Sequence, residues 1–244
     1  MAVDFRRDGV RSSLVWDVLS AVVSARVAAT GRPALDIVDV GGGTGGLAVP
    51  FAALGHNVTV VDPSPDALAA AQRRAAEAGA RLASVQGEAA SLDSLVGSAA
   101  ADLVICHNVL EYVDEPADAM SAIARVLRPS ATVSVIAANA VAAVLHRALA
   151  GRFAEARTLL TDAAQRTPRR FTLPGLTALV EQAGLRAGEA HGLRIFAGLV
   201  PGALLDGDAA ATEALRALEE AAASTPPLRD IAAQLHVLGH RRPP

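Results

Sequence analysis

The stretch Asp36-Ile-Val-Asp-Val-Gly-Gly-Gly-Thr-Gly-Gly46 decides the fold of this chain. The apolar run at residues 35–40 predicts a short buried strand, and the glycines after it predict a tight turn into a helix. Gly41, Gly43 and Gly46 have the spacing G-x-G-x-x-G, which lets the backbone come close to a nucleotide-like ligand. The spacing alone is a weak signal, so its surroundings decide what it binds.

Strand and helix patterns alternate around this loop. Predicted strands cover residues 35–40, 57–61, 81–86, 102–107, 132–138, 185–200 and 231–240. Predicted helices cover residues 12–30, the segment after the glycines with a kink at Pro50, and residues 64–79, 117–127, 140–150, 153–165, 176–183 and 209–223. This order predicts an α/β fold, a Rossmann-like doubly wound, mostly parallel seven-stranded sheet with helices on both faces.

The pattern changes after residue 139. Two helical stretches follow the fifth strand with no strand between them. We interpret residues 140–172 as a helical insertion that covers the substrate. Because no linker-like segment divides the chain, residues 1–244 are predicted to form one domain.

Composition excludes several kinds of protein. The formal net charge is −3, which gives no general attraction to nucleic acid. The chain contains no lysine, so a Schiff-base enzyme and a P-loop lysine are excluded. Cys106 is the one cysteine, and the histidines are scattered, so no metal site is expected. The longest apolar run, Ala131–Leu145, is too short and too polar to span a bilayer, and we expect a cytoplasmic protein.

Two carboxylates flank the glycine loop. Asp62 ends the second predicted strand, where a carboxylate can accept hydrogen bonds from both ribose hydroxyls. Asp39 immediately precedes the glycines. A dinucleotide and S-adenosylmethionine both fit a loop with an acid at Asp62. An acid at Asp39 favours the second ligand, because its methionine end carries an ammonium group beside a sulfonium and has no phosphate.

The segment after the fourth strand strengthens this choice. The run Asp102-Leu-Val-Ile-Cys-His-Asn-Val-Leu-Glu111 resembles motif IV of S-adenosylmethionine-dependent methyltransferases, and Asp39 resembles the acid of their motif I. The carboxyl ends of the strands face the ligand in open α/β sheets. We therefore predict a methyltransferase that uses S-adenosylmethionine.

The chain further resembles one family, the bacterial tRNA 5-carboxymethoxyuridine methyltransferases. The likeness runs from Gly9-Val-Arg11 through VDVGGGTG, Asp62 and DLVICHNVLEYVDEP into the C-terminal third. The resemblance implies that Arg11 pairs with the carboxylate of the methyl donor and that His107 contacts the donor. It also implies that Glu88 and Ala89 lie near the adenine. With Asp39, Gly41, Gly42, Gly43 and Asp62, these residues form the predicted cofactor site. The chain departs from the family at Ala233 and Gln234, where the family has an Arg-Tyr pair.

The acceptor is predicted less sharply than the donor. A carboxylate is ionised at neutral pH and needs cations to orient it, for which Arg169, Arg170 and Arg194 are candidates. Asn108 either meets the substrate or caps the helix after it. If the acceptor were a hydroxyl, His107 would be the nearest base.

Four functions remain open at this point. The first is O-methylation of a carboxylate, with a modified wobble uridine of tRNA as one acceptor. The second is methylation of an oxygen or nitrogen of a small molecule. The third is an NAD-type oxidoreductase, and the fourth is a non-catalytic protein that binds S-adenosylmethionine. Oligomeric state does not follow from the sequence.

Overall fold

The computed structural model describes residues 5–161, 168–200 and 209–243, with side chains from residue 14 onward. Its centre is one seven-stranded sheet with the order β3-β2-β1-β4-β5-β7-β6. The strands are β1 (Asp36–Val40), β2 (Asn57–Asp62), β3 (Ala83–Gln86), β4 (Ala101–His107), β5 (Leu127–Ala138), β6 (Arg186–Leu193) and β7 (Gln234–His240). The α/β fold class predicted from the sequence is confirmed.

Strand β7 is the reversed member of this sheet. β1 to β5 pair in parallel, whereas β7 pairs antiparallel with both β5 and β6. The start of β7 therefore lies beside the carboxyl end of β5, with Gln234 opposite Ala138. This arrangement brings a late segment of the chain to the edge of the sheet where ligands bind in parallel α/β folds.

The helices occupy both faces of the sheet. They are α1 (Phe5–Thr30), α2 (Ala48–Ala53), α3 (Pro65–Glu77), α4 (Leu92–Val96), α5 (Pro116–Val126), α6 (Ala140–Leu149), α7 (Phe153–Thr161), α8 (Leu173–Gln182) and α9 (Ala209–Ala222). The end of the helix predicted over residues 153–165 lies outside the described residues. Helix α4 was missed from the sequence, because five residues are too few to show a helical period.

Pro50 lies in the first turn of α2, where backbone N–H groups have no partner within the helix, so the missing N–H of this proline costs no hydrogen bond there. Two local predictions are wrong for physical reasons. Helix α1 already begins at Phe5, so Arg11 lies within it rather than before it. Residues 195–200 form turns and no strand, because Glu219 takes the N–H groups of Ile195, Phe196 and Ala197 at 2.6–2.7 Å.

Two large apolar clusters cover the sheet, one on each face, and a third, small cluster of Ile195, Ala222 and Ala232 lies beside the end of α9. Alternate residues of β4 point to opposite faces, so Leu103 and Ile105 join the cluster under α1 and α2. Val104 and Cys106 join the cluster under α5 and α8. Because both faces are covered, the central strands are apolar throughout, which explains the run LVIC in the sequence.

A buried ion cluster closes the amino ends of the strands. Asp102 is the second residue of β4, and its side chain is fully buried. Its carboxylate accepts hydrogen bonds from Arg26, Arg32 and Arg128 at 2.8–3.1 Å, and from the backbone N–H of Asp36 at 3.1 Å. The cluster ties α1, β1 and β5 to β4 at the end of the sheet away from the glycine loop.

Among the residues that the structure describes, no helix is long and apolar enough to cross a membrane. Within the same part of the chain, no three His, Cys, Asp or Glu side chains are grouped so that they could hold a metal ion.

Candidate active site

The glycine loop follows β1 in a conformation that needs glycine. Gly41 and Gly43 have φ angles of 65° and 55°, in the left-handed region. At Gly42 the limit is space, because a Cβ atom would lie 2.6 Å from Oδ2 of Asp39. Gly46, the last glycine of the sequence motif, has neither constraint, since its φ is not positive and no atom would meet its Cβ within 4 Å. Gly45, which lies outside the motif spacing, has a φ of 78°, so the loop depends on this glycine and on the first three.

Asp62 holds the loop from the end of β2. Its Oδ2 accepts a hydrogen bond from the Gly43 N–H, and its Oδ1 accepts one from the Ser64 N–H, both at 2.9 Å. A carboxylate has about four lone-pair positions, so each oxygen keeps capacity for another donor. The side chain is 8% exposed. The backbone thus fixes the carboxylate with acceptor capacity to spare.

Asp39 is the more deeply buried acid of the pair. Burial, and then the negative charge of Asp62, raise its pKa to about 7, against an ordinary value of 3.8. The backbone N–H of Ala48 opposes this rise by donating to the carboxylate. A positive charge placed nearby would favour the ionised form of Asp39.

Two cavities meet at the glycine loop. The Asp62 cavity, of about 570 Å³, is lined by Gly41, Asp62, Glu88, Ala89 and residues 108–118 in part. The Asp39 cavity, of about 300 Å³, is lined by Asp39, Gly41, Gly42, His107 and Asn108, with Val15 of α1 on its wall. Gly41 and Asn108 line both, so the two cavities are neighbours on either side of the loop.

The lining of these cavities fits a cationic nucleoside. Five acids line the Asp62 cavity, namely Asp62, Glu88, Asp114, Glu115 and Asp118. Clefts lined by one sign of charge concentrate ligands of the opposite sign. The turn at Gly41 and Gly43 leaves the backbone accessible, and Asp62 retains acceptors for hydroxyl groups. The residues present therefore fit S-adenosylmethionine, which combines a ribose with a sulfonium and an ammonium group.

His107 and Asn108 end β4 at the junction of the cavities. Asn108 has a φ of 57°, and its side-chain oxygen accepts a hydrogen bond of 2.5 Å from Nε2 of Gln234. Asn108 therefore reaches across to β7. The residues after it form turns before α5 begins at Pro116, so the predicted helix cap is wrong, and its contact with substrate stays a prediction. Nε2 of His107 lies 2.7 Å from Oγ of Ser134 on β5.

A third cavity, of about 490 Å³, opens beyond the end of β5, and we name it the α6–α7 cavity. Its charged and titratable lining groups are His146, Arg147, Glu155 and Arg170, and Ala233 contributes to its wall. Burial and the charges of Arg194 and Arg147 lower the pKa of His146, so this ring is neutral at neutral pH. Arg147 pairs with Glu155 at 3.0 Å, which leaves one net positive charge on the wall.

Glu111 joins the segment after β4 to the wall of the α6–α7 cavity. Its Oε1 accepts a 2.7 Å hydrogen bond from the N–H of Ala138, and its backbone oxygen accepts one of 2.9 Å from the N–H of Arg169. Burial raises the pKa of this carboxyl group. The α6–α7 cavity is therefore fixed next to the segment that lines the other two cavities.

The structure places the predicted arginines in different locations. Arg170 lines the α6–α7 cavity, whereas Arg169 is tied through its backbone to Glu111. Arg194 lies near His146 with a φ of 59°, and within the described part of the chain its buried Nε has no hydrogen-bond partner. The backbone of Arg11 lies in α1, but its side chain is outside the described residues.

Several lining residues escaped the sequence prediction. Tyr112, Val113, Asp114, Glu115 and Asp118 line the Asp62 cavity, and Arg147 lines the α6–α7 cavity. The sequence does carry one signal for the first group, since they follow motif IV directly. Gln234 was noted only as a departure from the family, and its bond to Asn108 becomes visible only when β7 is placed beside β5.

Comparison with known proteins agrees with this geometry. Residues 38–135 match the model of a methyltransferase domain. The chain is 29% identical over 196 residues to the tRNA 5-carboxymethoxyuridine methyltransferase of Escherichia coli K12, covering 77% of this chain and 72% of that protein. It is 30% identical over 159 residues to a ubiquinone biosynthesis O-methyltransferase of Pseudoalteromonas translucida, covering 65% and 66%.

Solved structures show the same fold. Magnesium protoporphyrin IX methyltransferase from Synechocystis, with bound SAH, has a TM-score of 0.61 at 18% identity, covering 99% of this chain and 89% of that one. A sarcosine dimethylglycine methyltransferase from Galdieria sulphuraria has a TM-score of 0.58 at 13% identity, covering 91% and 84%. The sequence prediction of the enzyme class and cofactor is confirmed: the chain is a class I S-adenosylmethionine-dependent methyltransferase.

Proposed function

We propose that this enzyme methylates a carboxylate oxygen. In this proposal the methyl donor occupies the Asp62 and Asp39 cavities, and the acceptor enters from the α6–α7 cavity. Residues 140–172 then act as the cover of the acceptor within one domain that spans the chain. The observation that carries the proposal is the excess of positive charge in a cavity at the end of β5, while a strongly acidic cavity lies at the end of the neighbouring strand β4.

Different residues would hold the nucleoside part and the amino-acid part of the donor. Asp62 accepts from the ribose hydroxyls, and Glu88 and Ala89 border the adenine. Asp39 and His107 lie at the ammonium end, where Arg11 would meet the carboxylate. Gly41, Gly42 and Gly43 provide room for this approach, because a side chain at the first two would overlap Val109 or Asp39.

The acceptor would be oriented by cations. Arg170 lines the α6–α7 cavity, and Arg147 adds a guanidinium whose charge Glu155 partly offsets. Planar guanidinium groups match a carboxylate through paired N–H donors. Arg194, whose buried Nε has no partner among the described residues, is the third candidate, and Asn108 lines both donor cavities. Arg169 retains only the weaker role of holding this wall.

Methyl transfer to a carboxylate requires these residues mainly to align the acceptor oxygen with the methyl carbon. Bound S-adenosylmethionine supplies a methyl carbon that the sulfonium has already activated. A carboxylate is ionised near neutral pH, so no residue has to remove a proton. The residues of the α6–α7 cavity hold the oxygen in line with that carbon, and the cover excludes water.

A labelled-methyl assay tests the proposal. The enzyme is given methyl-labelled S-adenosylmethionine with bulk tRNA in one arm and a panel of small carboxylic acids in the other. Mild base hydrolyses methyl esters, so label released by base identifies a carboxylate acceptor. Arg170→Gln should raise KM for that acceptor by about tenfold, as for a lost hydrogen bond to a charged group. Label stable to base would contradict the proposal.

The resemblance to the tRNA enzymes makes a modified wobble uridine the first acceptor to try. Ala233 stands where those enzymes have an arginine, and it lines the α6–α7 cavity. This substitution removes a cation from the acceptor side, which also suits an acceptor smaller than tRNA. The two arms of the assay separate these acceptors.

A hydroxyl acceptor is the second candidate function. The ubiquinone biosynthesis O-methyltransferases match this chain at 29–37% identity over shorter stretches. A hydroxyl must lose its proton, and His107 lines the Asp39 cavity at its junction with the Asp62 cavity. Base-stable label on a phenol, lost in His107→Ala with unchanged donor affinity, would support this alternative.

A further inference from the structure

Helix α3 lies against the glycine loop. Its Ala71 packs so close to Gly45 that a Cβ atom on this glycine would lie 3.2 Å from Cβ of Ala71. Nη1 of Arg74 donates to the backbone oxygen of Thr44 at 2.9 Å and to its Oγ1 at 3.1 Å. Ala71 and Arg74 are three residues apart, so they lie on one face of the helix. That face of α3 is turned toward the loop.

The Arg74 contact holds the one side chain that the loop contains. Residues 41–46 consist of five glycines and Thr44. Glycine loses more conformational freedom on folding than any other residue, so a loop of this composition is costly to keep in one shape. Thr44 is the only residue of this loop that a neighbouring element can hold by its side chain. Arg74 bonds both the side chain and the backbone of Thr44, and so restrains the loop at that point.

Strand β2 holds a different part of the loop. Oδ2 of Asp62 accepts from the N–H of Gly43 at 2.9 Å. The turn that follows is closed within the loop, where the N–H of Gly45 donates to the backbone oxygen of Gly42 at 2.9 Å. Both ends of that bond are glycines with wide conformational freedom, so a further contact with a rigid helix defines the turn better. Arg74 supplies this contact.

We propose that Arg74 is a positioning residue for the methyl donor. By holding Thr44, it keeps the glycine loop in the shape that admits the donor. Arg74 lies outside the described linings of the Asp62 and Asp39 cavities, so it acts through the loop and does not touch the ligand. A loop that is already held before the ligand arrives lowers the entropy cost of binding. The inference rests on the donor placement proposed above.

The charge of Arg74 and its contact with the loop predict opposite effects on the donor. S-adenosylmethionine carries a net positive charge, so removal of a nearby cation would by itself tighten its binding. Loss of the contact with the loop would weaken it. Arg73 is the matched control, because this neighbouring arginine is exposed and makes no hydrogen bond or ion pair with any described residue. Arg73→Ala therefore removes the same charge without the contact.

Calorimetry with S-adenosylmethionine and with S-adenosylhomocysteine tests the proposal. We expect Arg74→Ala to weaken both ligands by about threefold to tenfold, as for the loss of one or two hydrogen bonds. Arg73→Ala should leave both affinities within about twofold of the wild type. Unchanged or tighter binding in Arg74→Ala, or equal losses in the two variants, would overturn the proposal.

A double-mutant cycle tests whether Arg74 acts through Thr44. Thr44→Val keeps the shape of the side chain and removes the oxygen that accepts one of the two hydrogen bonds. Residues that act through a shared contact give losses that do not simply combine. The loss of donor affinity in the double variant should therefore fall short of the product of the two single losses by about twofold. Losses that multiply fully would show that Arg74 acts elsewhere.

Amide hydrogen exchange of the ligand-free protein tests the loop directly. Exchange at Gly45, whose N–H closes the turn, should quicken severalfold in Arg74→Ala and stay unchanged in Arg73→Ala. Unchanged exchange in Arg74→Ala would show that the loop keeps its shape without the contact, against the proposal. Asp62→Ala separates the two possible failures. If it leaves donor affinity unchanged, the donor placement itself fails; if it weakens the donor while Arg74→Ala does not, only the role of Arg74 fails.

Discussion

Asp62 and Asp39 are both carboxylates at one turn, yet their surroundings give them different tasks. Two backbone N–H groups hold Asp62, so its position is fixed before any ligand arrives. We expect Asp62→Ala to weaken S-adenosylhomocysteine binding by at least about 1 kcal/mol, the order of a lost buried hydrogen bond. Isothermal titration calorimetry measures this loss. The control is Asp66→Ala, on the exposed first turn of α3, and equal affinity in the two variants would refute the ribose contact.

Asp39 should make donor binding depend on pH. Its pKa of about 7 in the ligand-free protein means that it is largely protonated below that pH. The ammonium group of the ligand favours the ionised form of Asp39, so the affinity should rise as pH increases to about 7 and then level off. Below that point the loss approaches tenfold per pH unit. Calorimetry with S-adenosylhomocysteine at about pH 6 and about pH 8 measures the change, and Asp39→Asn should abolish it. A wild-type affinity that is flat over this range would show that Asp39 lies away from the cation.

The glycines of the loop are not equivalent. A methyl group at Gly42 would overlap the carboxylate of Asp39, whereas one at Gly46 would meet open space. We expect Gly42→Ala to abolish measurable donor binding and Gly46→Ala to leave it within about twofold, because a helical or turn glycine with free space tolerates alanine. Equilibrium dialysis with labelled donor compares the two. Loss of binding in Gly46→Ala would contradict the loop geometry.

Some residues of the candidate site can be predicted from the sequence and others cannot. The glycines and the two acids were identified from local spacing, because turn, strand end and ligand group are neighbours along the chain. The link between Asn108 and Gln234 spans 126 positions. Only the placement of β7 beside β5 reveals it, so no local pattern could predict it. Whether the individual site residues bind the donor stays a prediction.

Helix α9 anchors the loop that carries Arg194. The carboxylate of Glu219 is 4% exposed and accepts three backbone N–H groups from residues 195–197. Glu219→Gln replaces one acceptor oxygen by a donor, and we expect it to lower the free energy of unfolding by about 2 kcal/mol or more. Denaturant unfolding measures the loss, and hydrogen exchange should quicken at residues 195–197.

The neighbouring acid provides the control. Glu220 is exposed and pairs with Arg216 at 3.3 Å on the helix surface, so Glu220→Gln should change stability by less than about 0.5 kcal/mol. Similar losses in both variants would mean that the hydrogen bonds of Glu219 contribute nothing specific.

The contacts of Glu219 also explain the wrong strand prediction after residue 194. Apolar residues predicted a strand there, but a distant carboxylate satisfies the backbone in a turn.

At the scale of the whole molecule, the two ends of the sheet have separate tasks. The amino end is fixed by Asp102 and its arginines, and the carboxyl end holds the cavities. We expect Asp102→Ala to lower the free energy of unfolding by about 3 kcal/mol, because the half-buried Arg26 loses the carboxylate that it pairs with, while Arg32 and Arg128 retain Asp36. Donor affinity of the folded fraction should be unchanged when calorimetry is run well below the melting temperature. Weakened binding there would show that the two ends are coupled.

The overall architecture was predictable because its signals are repeated along the chain. Seven apolar runs separated by helical patterns specify a parallel sheet, and short connections leave few topologies. The cavity beyond β5 was not predictable in the same way. Its wall combines α6, α7, residues 168–170 and Ala233, which contact one another only after folding.

Because β7 is reversed, the donor cavities and the α6–α7 cavity are lined by segments that lie far apart in the sequence. Among the described residues, the Asp62 and Asp39 cavities are lined by a stretch between Asp39 and Asp118 together with Val15 of α1. The cavity proposed for the acceptor also includes Ala233, about two hundred positions downstream of the glycine loop. If the proposed function holds, mutations at that late position would alter which molecule is methylated while the methyl source stays the same, so a new specificity could evolve without changes in the donor site.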